Sequence, residues 1–136
     1  MKTLLLIPFV LIASCYNPAG NPKMASSIYP MELHTATSVP IQVIRDGEYI
    51  SIVNSTAIDY DSPTLWVNQR YSSVIQSLPA GSTLRFNLKS LRDAYGEQIN
   101  AGGIWRTDEP TTLVIAELQL SDESPLVGLI VIHEEE

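Results

Sequence analysis

The sequence has only one cysteine, Cys15, in 136 residues, so no disulfide can form within the chain. Basic residues are also scarce: eight lysines and arginines stand against 15 aspartates and glutamates, for a formal charge of −7. Nucleic-acid binding draws its affinity from clustered lysines and arginines laid against phosphates, and those of this chain are scattered singly. We therefore expect no nucleic-acid partner.

The sequence also lacks a long hydrophobic run. The N-terminal apolar stretch extends from Leu4 to Leu11, whereas a membrane-spanning helix takes about 20 apolar residues. Prolines and asparagines follow soon after Cys15, which excludes a helix that continues across the bilayer. Lys2 before the run, with the small residues Ala13 and Ser14 after it, instead indicates a cleavable export signal.

The five residues that end this signal are L-I-A-S-C, residues 11–15. They resemble the lipobox of bacterial lipoprotein precursors, in which the chain is cut before the cysteine and its thiol is acylated, for example with palmitate. The resemblance implies that Cys15 is the lipidated first residue of the mature protein, and it accounts for an unpaired cysteine better than the alternative of a buried core thiol. Tyr16 stands where an aspartate would resemble an inner-membrane retention signal, which favours the outer membrane of the bacterial cell envelope.

Three regions follow from this interpretation: a signal peptide (1–14), a lipidated N-terminus with a flexible tether (15–37), and one folded domain (38–136). Loss of Lys2 with the signal leaves a formal charge of −8, so we expect the lipid to hold the protein while charge keeps the body off the membrane. An alternative is that Tyr29, Pro30, Met31 and Leu33 pack on the domain as a first strand or lid.

The folded domain shows the period-two pattern of strands, with turn residues between short apolar runs. Asp46-Gly47 predicts a hairpin over residues 40–54. Further strands are expected at 65–71, 83–89 and 114–120, together with a strand buried on both faces at 126–132. One short helical turn is expected over Ser90–Tyr95, ended by Gly96 in the left-handed conformation. The pattern predicts an all-β domain, an antiparallel β-sandwich of immunoglobulin-like or fibronectin-like architecture, with a small β-barrel as the alternative.

Catalytic and metal-binding motifs are sparse. His34 and His133 have no second ligand at zinc spacing, and the loop around Asp59 and Asp61 lacks the glycine and the later glutamate of a calcium loop. No nucleophile elbow accompanies a histidine. We therefore expect no enzyme, no cofactor and no bound metal.

Aromatic residues give the only candidate binding site. Trp66, Tyr71 and Trp105 lie beside amide and guanidinium groups and are candidates for a platform that binds a sugar or a peptide, although such rings also fill β-domain cores. Gly102-Gly103 predicts a backbone position near Trp105 with positive φ or close packing, which is a structural role.

A looser resemblance covers most of the domain. The run Trp66–Tyr71, the segment Leu78-Pro79-Ala80-Gly81, the Asp93–Gly96 turn and Gly102-Gly103 are similar to small uncharacterised envelope lipoproteins of planctomycete-like bacteria. This resemblance implies no activity and no residue role. The sequence thus predicts a lipid-anchored, non-catalytic structural or interaction module whose partner is an envelope protein or polysaccharide. The alternative is a carbohydrate- or peptide-binding module that uses the exposed aromatics.

Overall fold

A computed structural model describes residues 20–133, and Cys15 lies outside this range. The described chain contains seven strands and three short 3-10 turns, so the all-β prediction is confirmed. No helix within residues 20–133 has the length and apolar content needed to cross a membrane. The strands are β1 (Ser38–Asp46), β2 (Tyr49–Asn54), β3 (Thr64–Val67), β4 (Tyr71–Val74), β5 (Thr83–Asn87), β6 (Ala116–Gln119) and β7 (Val127–Ile132), and the 3-10 turns are Pro22–Met24, Met31–Leu33 and Leu88–Ser90.

All seven strands belong to one sheet in the order β4-β3-β6-β7-β1-β2-β5, which curls into a half-barrel. A sandwich of two sheets is therefore not confirmed. The expectation of a purely antiparallel sheet is wrong at one pair, because β1 and β7 run parallel. These strands lie near the two ends of the domain sequence, so no hairpin turn forces them to be antiparallel.

The chain after β5 crosses the open side of the half-barrel to the other edge strand. Leu88 N–H donates to Glu48 O over 2.9 Å, and Arg92 exchanges two backbone hydrogen bonds with Ser72 of β4, at 2.8 and 3.3 Å. In the described chain, β4 and β5 are thus joined through this one bridge and not by a continuous ladder, so the closed barrel is not formed either.

The hydrophobic core lies inside the curled sheet. Alternate residues of β1 and β2 point inward, and the chain that crosses the open side contributes Leu88, Leu91 and Ile99, all almost completely buried. Ten residues of the strands complete the inner face: Ile41, Val43, Ile50, Ile52, Leu65, Val67, Tyr71, Ala116, Leu118 and Leu129. Truncation of such fully buried leucines and isoleucines to alanine typically costs about 2–5 kcal/mol.

Three local predictions need correction. The expected strand over 65–71 is a hairpin, because Asn68 and Gln69 adopt φ angles of 53° and 54° and turn the chain from β3 into β4. The expected helical turn over Ser90–Tyr95 is instead an Asp93-centred loop, which ends at Gly96 with φ 77°, as expected. The strand at 126–132 is not buried on both faces, since Ile130 and Ile132 are each 41% exposed.

Strand directions define two ends of the sheet. Both the β1–β2 turn at Gly47 and the β3–β4 turn at Asn68-Gln69 lie at one end, here called the turn end. β5 runs antiparallel to β2 and stops there, and β6 starts there, so the connection between them, residues 88–115, begins and finishes at the turn end.

Candidate interaction surface

Residues 20–37, here called the N-terminal segment, run along the outer face of the sheet from the turn end to the opposite end. Asn21 N–H donates to Gly96 O (3.2 Å) at the turn end. Leu126 N–H, before β7, donates to Leu33 O (2.8 Å) at the opposite end. The sequence left two interpretations of this region, a flexible tether or packing of Tyr29 and Leu33 on the domain. These contacts agree with packing on the domain. The domain boundary at residue 38 stays a prediction.

Tyr29 anchors the middle of the N-terminal segment. Its ring meets Trp66 of β3 edge-on, with centroids 5.4 Å apart and an interplanar angle of 84°, a favourable aromatic geometry. Trp66 points to the outer face, yet it is only 2% exposed. Its indole N–H donates to Gln119 Oε1 of β6 over 3.0 Å. The segment therefore buries the outer face of β3 and β6.

Glu117 of β6 is the most deeply buried ionisable group under this segment, at 1% exposure. Tyr29 O–H donates to its Oε2 over 2.7 Å, and His34 Nδ1 lies 2.6 Å from its Oε1. Because a carboxylate oxygen only accepts, the proton of the second contact resides on His34 Nδ1. Burial, followed by the hydrogen bond to Glu117, raises the pKa of the Tyr29 phenol above its ordinary value. Both carboxylate oxygens of Glu117 thus hold the N-terminal segment on the sheet.

The loop Asp93–Glu97 supports the segment at the turn end. Ser26 N–H donates to Asp93 O (2.8 Å). The buried Asp93 carboxylate accepts from Arg70 Nε and Nη2 (3.0 and 2.8 Å) and from the N–H groups of Tyr95 and Glu97 (2.9 and 2.8 Å). Burial raises the pKa of Asp93, but the Arg70 guanidinium and the two N–H groups outweigh it, and the net pKa lies below its ordinary value.

A shallow, mostly apolar cleft of about 560 Å³ lies between the N-terminal segment and this loop. Ile28, Met31 and Tyr95 line it and are 81%, 60% and 76% exposed. Large apolar side chains exposed close together are typical of an interaction surface. The cleft presents no paired nucleophile and base, so its chemistry is that of apolar contact.

The loop 100–111 projects from the same end of the sheet. Thr111 N–H donates to Asn100 O (2.8 Å) and closes its neck, while Arg45 donates to the carbonyls of Ala101 and Thr111. Burial lowers the pKa of Arg45. At the tip, Ile104 and Trp105 are 93% and 95% exposed. Gly102 and Gly103 have φ angles of 85° and 132°, which confirms the predicted positive φ.

The three candidate binding aromatics do not form one platform. Trp66 is covered by Tyr29, and Tyr71 lies in the core at 8% exposure with the Arg70 guanidinium 4.9 Å from its ring centroid. Burial raises the pKa of Tyr71. Trp105 alone of the three offers its ring to solvent, whereas Cys15 lies outside the described residues.

The acidic candidates Asp59 and Asp61 have structural neighbours. Asp59 accepts from Ala80 N–H (2.8 Å), and Asp61 accepts from the Ser77 hydroxyl (2.7 Å), so each carboxylate fixes a loop. Among residues 20–133 no group of three or more histidine, cysteine, aspartate or glutamate side chains is arranged to hold a metal ion.

Sequence reasoning missed the role of His34 and Glu117, which are 83 positions apart in the chain. The available signal was the composition of β6, where Glu117 and Gln119 form the face opposite Ala116 and Leu118. Nothing in the strand itself shows that another segment covers that face.

Comparison with known proteins adds no assignment: no protein-family model, no curated protein and no solved structure matches this chain. The resemblances to a lipobox and to planctomycete-like envelope lipoproteins stay predictions.

Proposed function

We propose that this protein is a lipid-anchored, non-catalytic lipoprotein of the bacterial cell envelope that acts as a structural or interaction module. The observation that carries the proposal is the position of Cys15, the only cysteine, directly after an apolar run and the small residues Ala13 and Ser14. The anchor is the lipid on Cys15, and the partner is an envelope protein or polysaccharide.

The non-catalytic part of the proposal is supported by what the buried polar groups do. Glu117 and Asp93 have their oxygens occupied by groups that fix the N-terminal segment and the Asp93–Glu97 loop. Asn54 donates to the carbonyls of Ile58, Leu78 and Pro79 and so ties the loops at the opposite end. Each group has a role in holding the fold, which leaves it poorly placed for proton transfer to a substrate.

The lipid anchor is tested by expressing Cys15→Ser and wild type in a bacterium fed with labelled palmitate. Wild type is expected to take up label and to partition into detergent, whereas Cys15→Ser takes up none. Ser14→Ala is the matched control, because it keeps a small residue before the cut and so retains the label. Label on Cys15→Ser, or wild type that stays in the aqueous phase, contradicts the proposal.

Placement in the outer membrane is the finer part of this proposal and rests on Tyr16. A Tyr16→Asp variant, which creates the dipeptide that resembles a retention signal, is expected to shift the lipidated protein to the inner-membrane fraction. A Tyr16→Phe control is expected to stay in the outer-membrane fraction. An unchanged distribution of Tyr16→Asp contradicts the outer-membrane placement and leaves the lipid anchor standing.

A second candidate function, binding of a carbohydrate or peptide through aromatic side chains, is supported by the exposure of Trp105. Since Trp66 is buried, a ligand at the loop tip is expected to change the emission of Trp105 and to leave that of Trp66 constant. Titration with cell-wall oligosaccharides and short peptides tests this, with Trp105→Phe as the variant in which the response disappears. No response from wild type contradicts it.

A further inference from the structure

The turn end of the sheet carries both exposed apolar groups of the candidate surface. The cleft residues Ile28, Met31 and Tyr95 flank one side of the β3–β4 turn, because Gln69 and Arg70 of that turn also line the cleft. On the other side, the Asn68 side chain donates to Thr112 O over 2.7 Å and accepts from Val114 N–H over 2.8 Å. It thereby holds the chain that follows the loop of Ile104 and Trp105.

The chain also leaves the described domain at this end. Asn21 is hydrogen-bonded to Gly96, the neighbour of the exposed Tyr95. A Cβ at Gly20 would lie 2.6 Å from Tyr95 O, so the backbone of residue 20 packs directly on this loop. The point from which the chain runs back to Cys15 is therefore beside the apolar surface.

The length of the connecting chain limits how far this surface can stand from the anchor. Gly20 is five positions after Cys15, and an extended chain covers at most about 3.6 Å per position, or about 18 Å here. With Cys15 acylated, as proposed above, the turn end lies within this distance of the membrane. Tyrosine and tryptophan are the side chains that favour the headgroup region.

Part of the charge at the turn end is paired. Arg70 lies 2.8 and 2.7 Å from Asp93 and Glu97, and Lys89 lies 2.6 Å from Glu48, so two cations and three carboxylates leave a net charge of −1 in this set. A zwitterionic lipid surface has no net charge, so it does not repel this residual negative charge as an anionic surface would.

We infer that the turn end rests on the lipid bilayer that carries the anchor, with Trp105, Ile104 and Tyr95 in the headgroup region. The inference depends on the proposed lipidation of Cys15. It replaces the picture of a domain held off the surface by a long tether with one of a domain that is seated on the membrane in a fixed orientation.

The test uses the full lipidated chain in phosphatidylcholine vesicles whose acyl chains carry bromine, a short-range quencher of tryptophan emission. Wild type is expected to lose the emission of Trp105, whereas Trp105→Phe, which retains only the covered Trp66, is expected to show no loss relative to unbrominated vesicles. Ile104→Asp and Tyr95→Ser are expected to reduce the quenching, because they replace apolar contacts with the lipid by polar groups.

The outcomes separate the two proposals. If the protein fails to float with the vesicles, lipidation is wrong and this inference fails with it. If the protein floats and Trp105 is not quenched, the anchor stands and the orientation is wrong. A Trp105 that is unquenched on vesicles but changes its emission with cell-wall oligosaccharide assigns the loop tip to a polysaccharide and likewise overturns the inference.

Discussion

Glu117 shows how a single residue couples the N-terminal segment to the sheet. A carboxylate at 1% exposure is costly unless hydrogen-bond donors compensate it. In the described chain those donors are Tyr29 and His34, both from the N-terminal segment. Removal of the Glu117 carboxylate leaves Tyr29 and His34 without their acceptor, and removal of these two donors leaves the Glu117 charge buried and uncompensated. Either change therefore weakens the contact between the N-terminal segment and β6.

Glu117→Ala is expected to lower the free energy of unfolding by about 2 kcal/mol, because two hydrogen bonds to a charged group are lost while His34 regains water. The side chain of His34 is already 32% exposed, which keeps the cost below that of a fully buried pair. Urea unfolding at neutral pH measures the change. Glu109→Ala, at an exposed position, serves as the control and is expected to stay within about 0.5 kcal/mol of wild type. Equal effects of the two substitutions contradict the role of Glu117.

Asp93 predicts part of the acid sensitivity of the domain. Its pKa in the folded protein lies below the ordinary value, so its ionised form stabilises the fold above the unfolded pKa of about 3.9. This contribution is lost as the pH falls from there through the lower, folded pKa. Asp93→Asn, which keeps an oxygen acceptor, is expected to flatten the stability curve below about pH 4.

The control for this prediction is Glu97→Gln, since the Glu97 side chain is 47% exposed and the substitution keeps the backbone N–H that donates to Asp93. We expect this variant to follow the acid dependence of wild type. Denaturant midpoints measured from pH 5 to pH 2 give the comparison. A parallel offset of Asp93→Asn across the whole range, with an unchanged slope, contradicts the assigned titration.

At the scale of elements, the N-terminal segment explains why β6 is buried on both faces. Period-two alternation predicted β1, β2 and β6 as strands, and in β6 it separated Ala116 and Leu118 from Glu117 and Gln119, because alternation is a local property of a strand. The cover over Trp66 and Glu117 depends on residues more than thirty positions earlier in the chain, which no local pattern encodes. The polar, proline-containing composition of the segment favoured a tether for the same reason.

Tyr29→Ala tests this cover directly. In a Trp105→Phe background the only tryptophan is Trp66, whose emission reports whether its ring is buried. Loss of the Tyr29 ring and hydroxyl is expected to shift that emission to the red and to cost about 2–3 kcal/mol of unfolding free energy. Met24→Ala, at a half-exposed position of the same segment that makes none of these contacts, is the control. An unshifted spectrum of Tyr29→Ala contradicts the packing.

In the edge strand β5, Leu84 and Phe86 share one face of the sequence pattern, which predicts that Phe86 belongs to the core and that Arg85 faces solvent. Phe86 pairs with Ile50 and Leu84 with Ile52, so both point to the core, but both are only partly buried because no strand continues the sheet beyond β5. Arg85 faces outward, with its guanidinium 4.0 Å from the centroid of the Tyr49 ring.

Phe86→Ala is therefore expected to lower the free energy of unfolding by about 2–3 kcal/mol, somewhat less than a fully buried phenylalanine. Arg85→Ala removes an exposed cation–π contact and is expected to cost about 0.5–1 kcal/mol. Urea midpoints of the two variants measure this difference in stability. Similar small shifts for both substitutions mean that the register of β2 and β5 is wrong.

At the scale of the whole molecule, the parallel pair of β1 and β7 joins the strands β4-β3-β6-β7 to the strands β1-β2-β5 in one sheet. Hairpin turns such as Asp46-Gly47 were visible in the sequence because they need residues that tolerate positive φ. The pairing of β1 with β7, and the crossing of residues 88–92 from β5 to β4, depend on contacts between distant parts of the chain. Strand content was therefore predictable, whereas the choice between a sandwich, a barrel and a curled half-barrel was not.

The same limit applies to the candidate surface. Trp66, Tyr71 and Trp105 were candidates on the same ground, an aromatic ring beside amide or guanidinium groups, and residue type does not distinguish the exposed Trp105 from the two buried rings. Tyr95 and Ile28 were missed, since single apolar residues in loops carry no signal until the fold places them together. The proposed anchor at Cys15 could be predicted from sequence, because its signal lies entirely in the residues directly before it.

Mass spectrometry of protein purified from bacterial membranes shows whether Cys15 is the lipidated first residue of the mature protein. Trypsin cleaves after Lys2 and after Lys23, so the unprocessed chain yields the peptide 3–23 with a free thiol. Lipidation predicts instead a peptide that begins at Cys15, ends at Lys23 and carries the added mass of a diacylglyceryl group. Recovery of the 3–23 peptide with an unmodified cysteine as the main product contradicts the lipidation of Cys15.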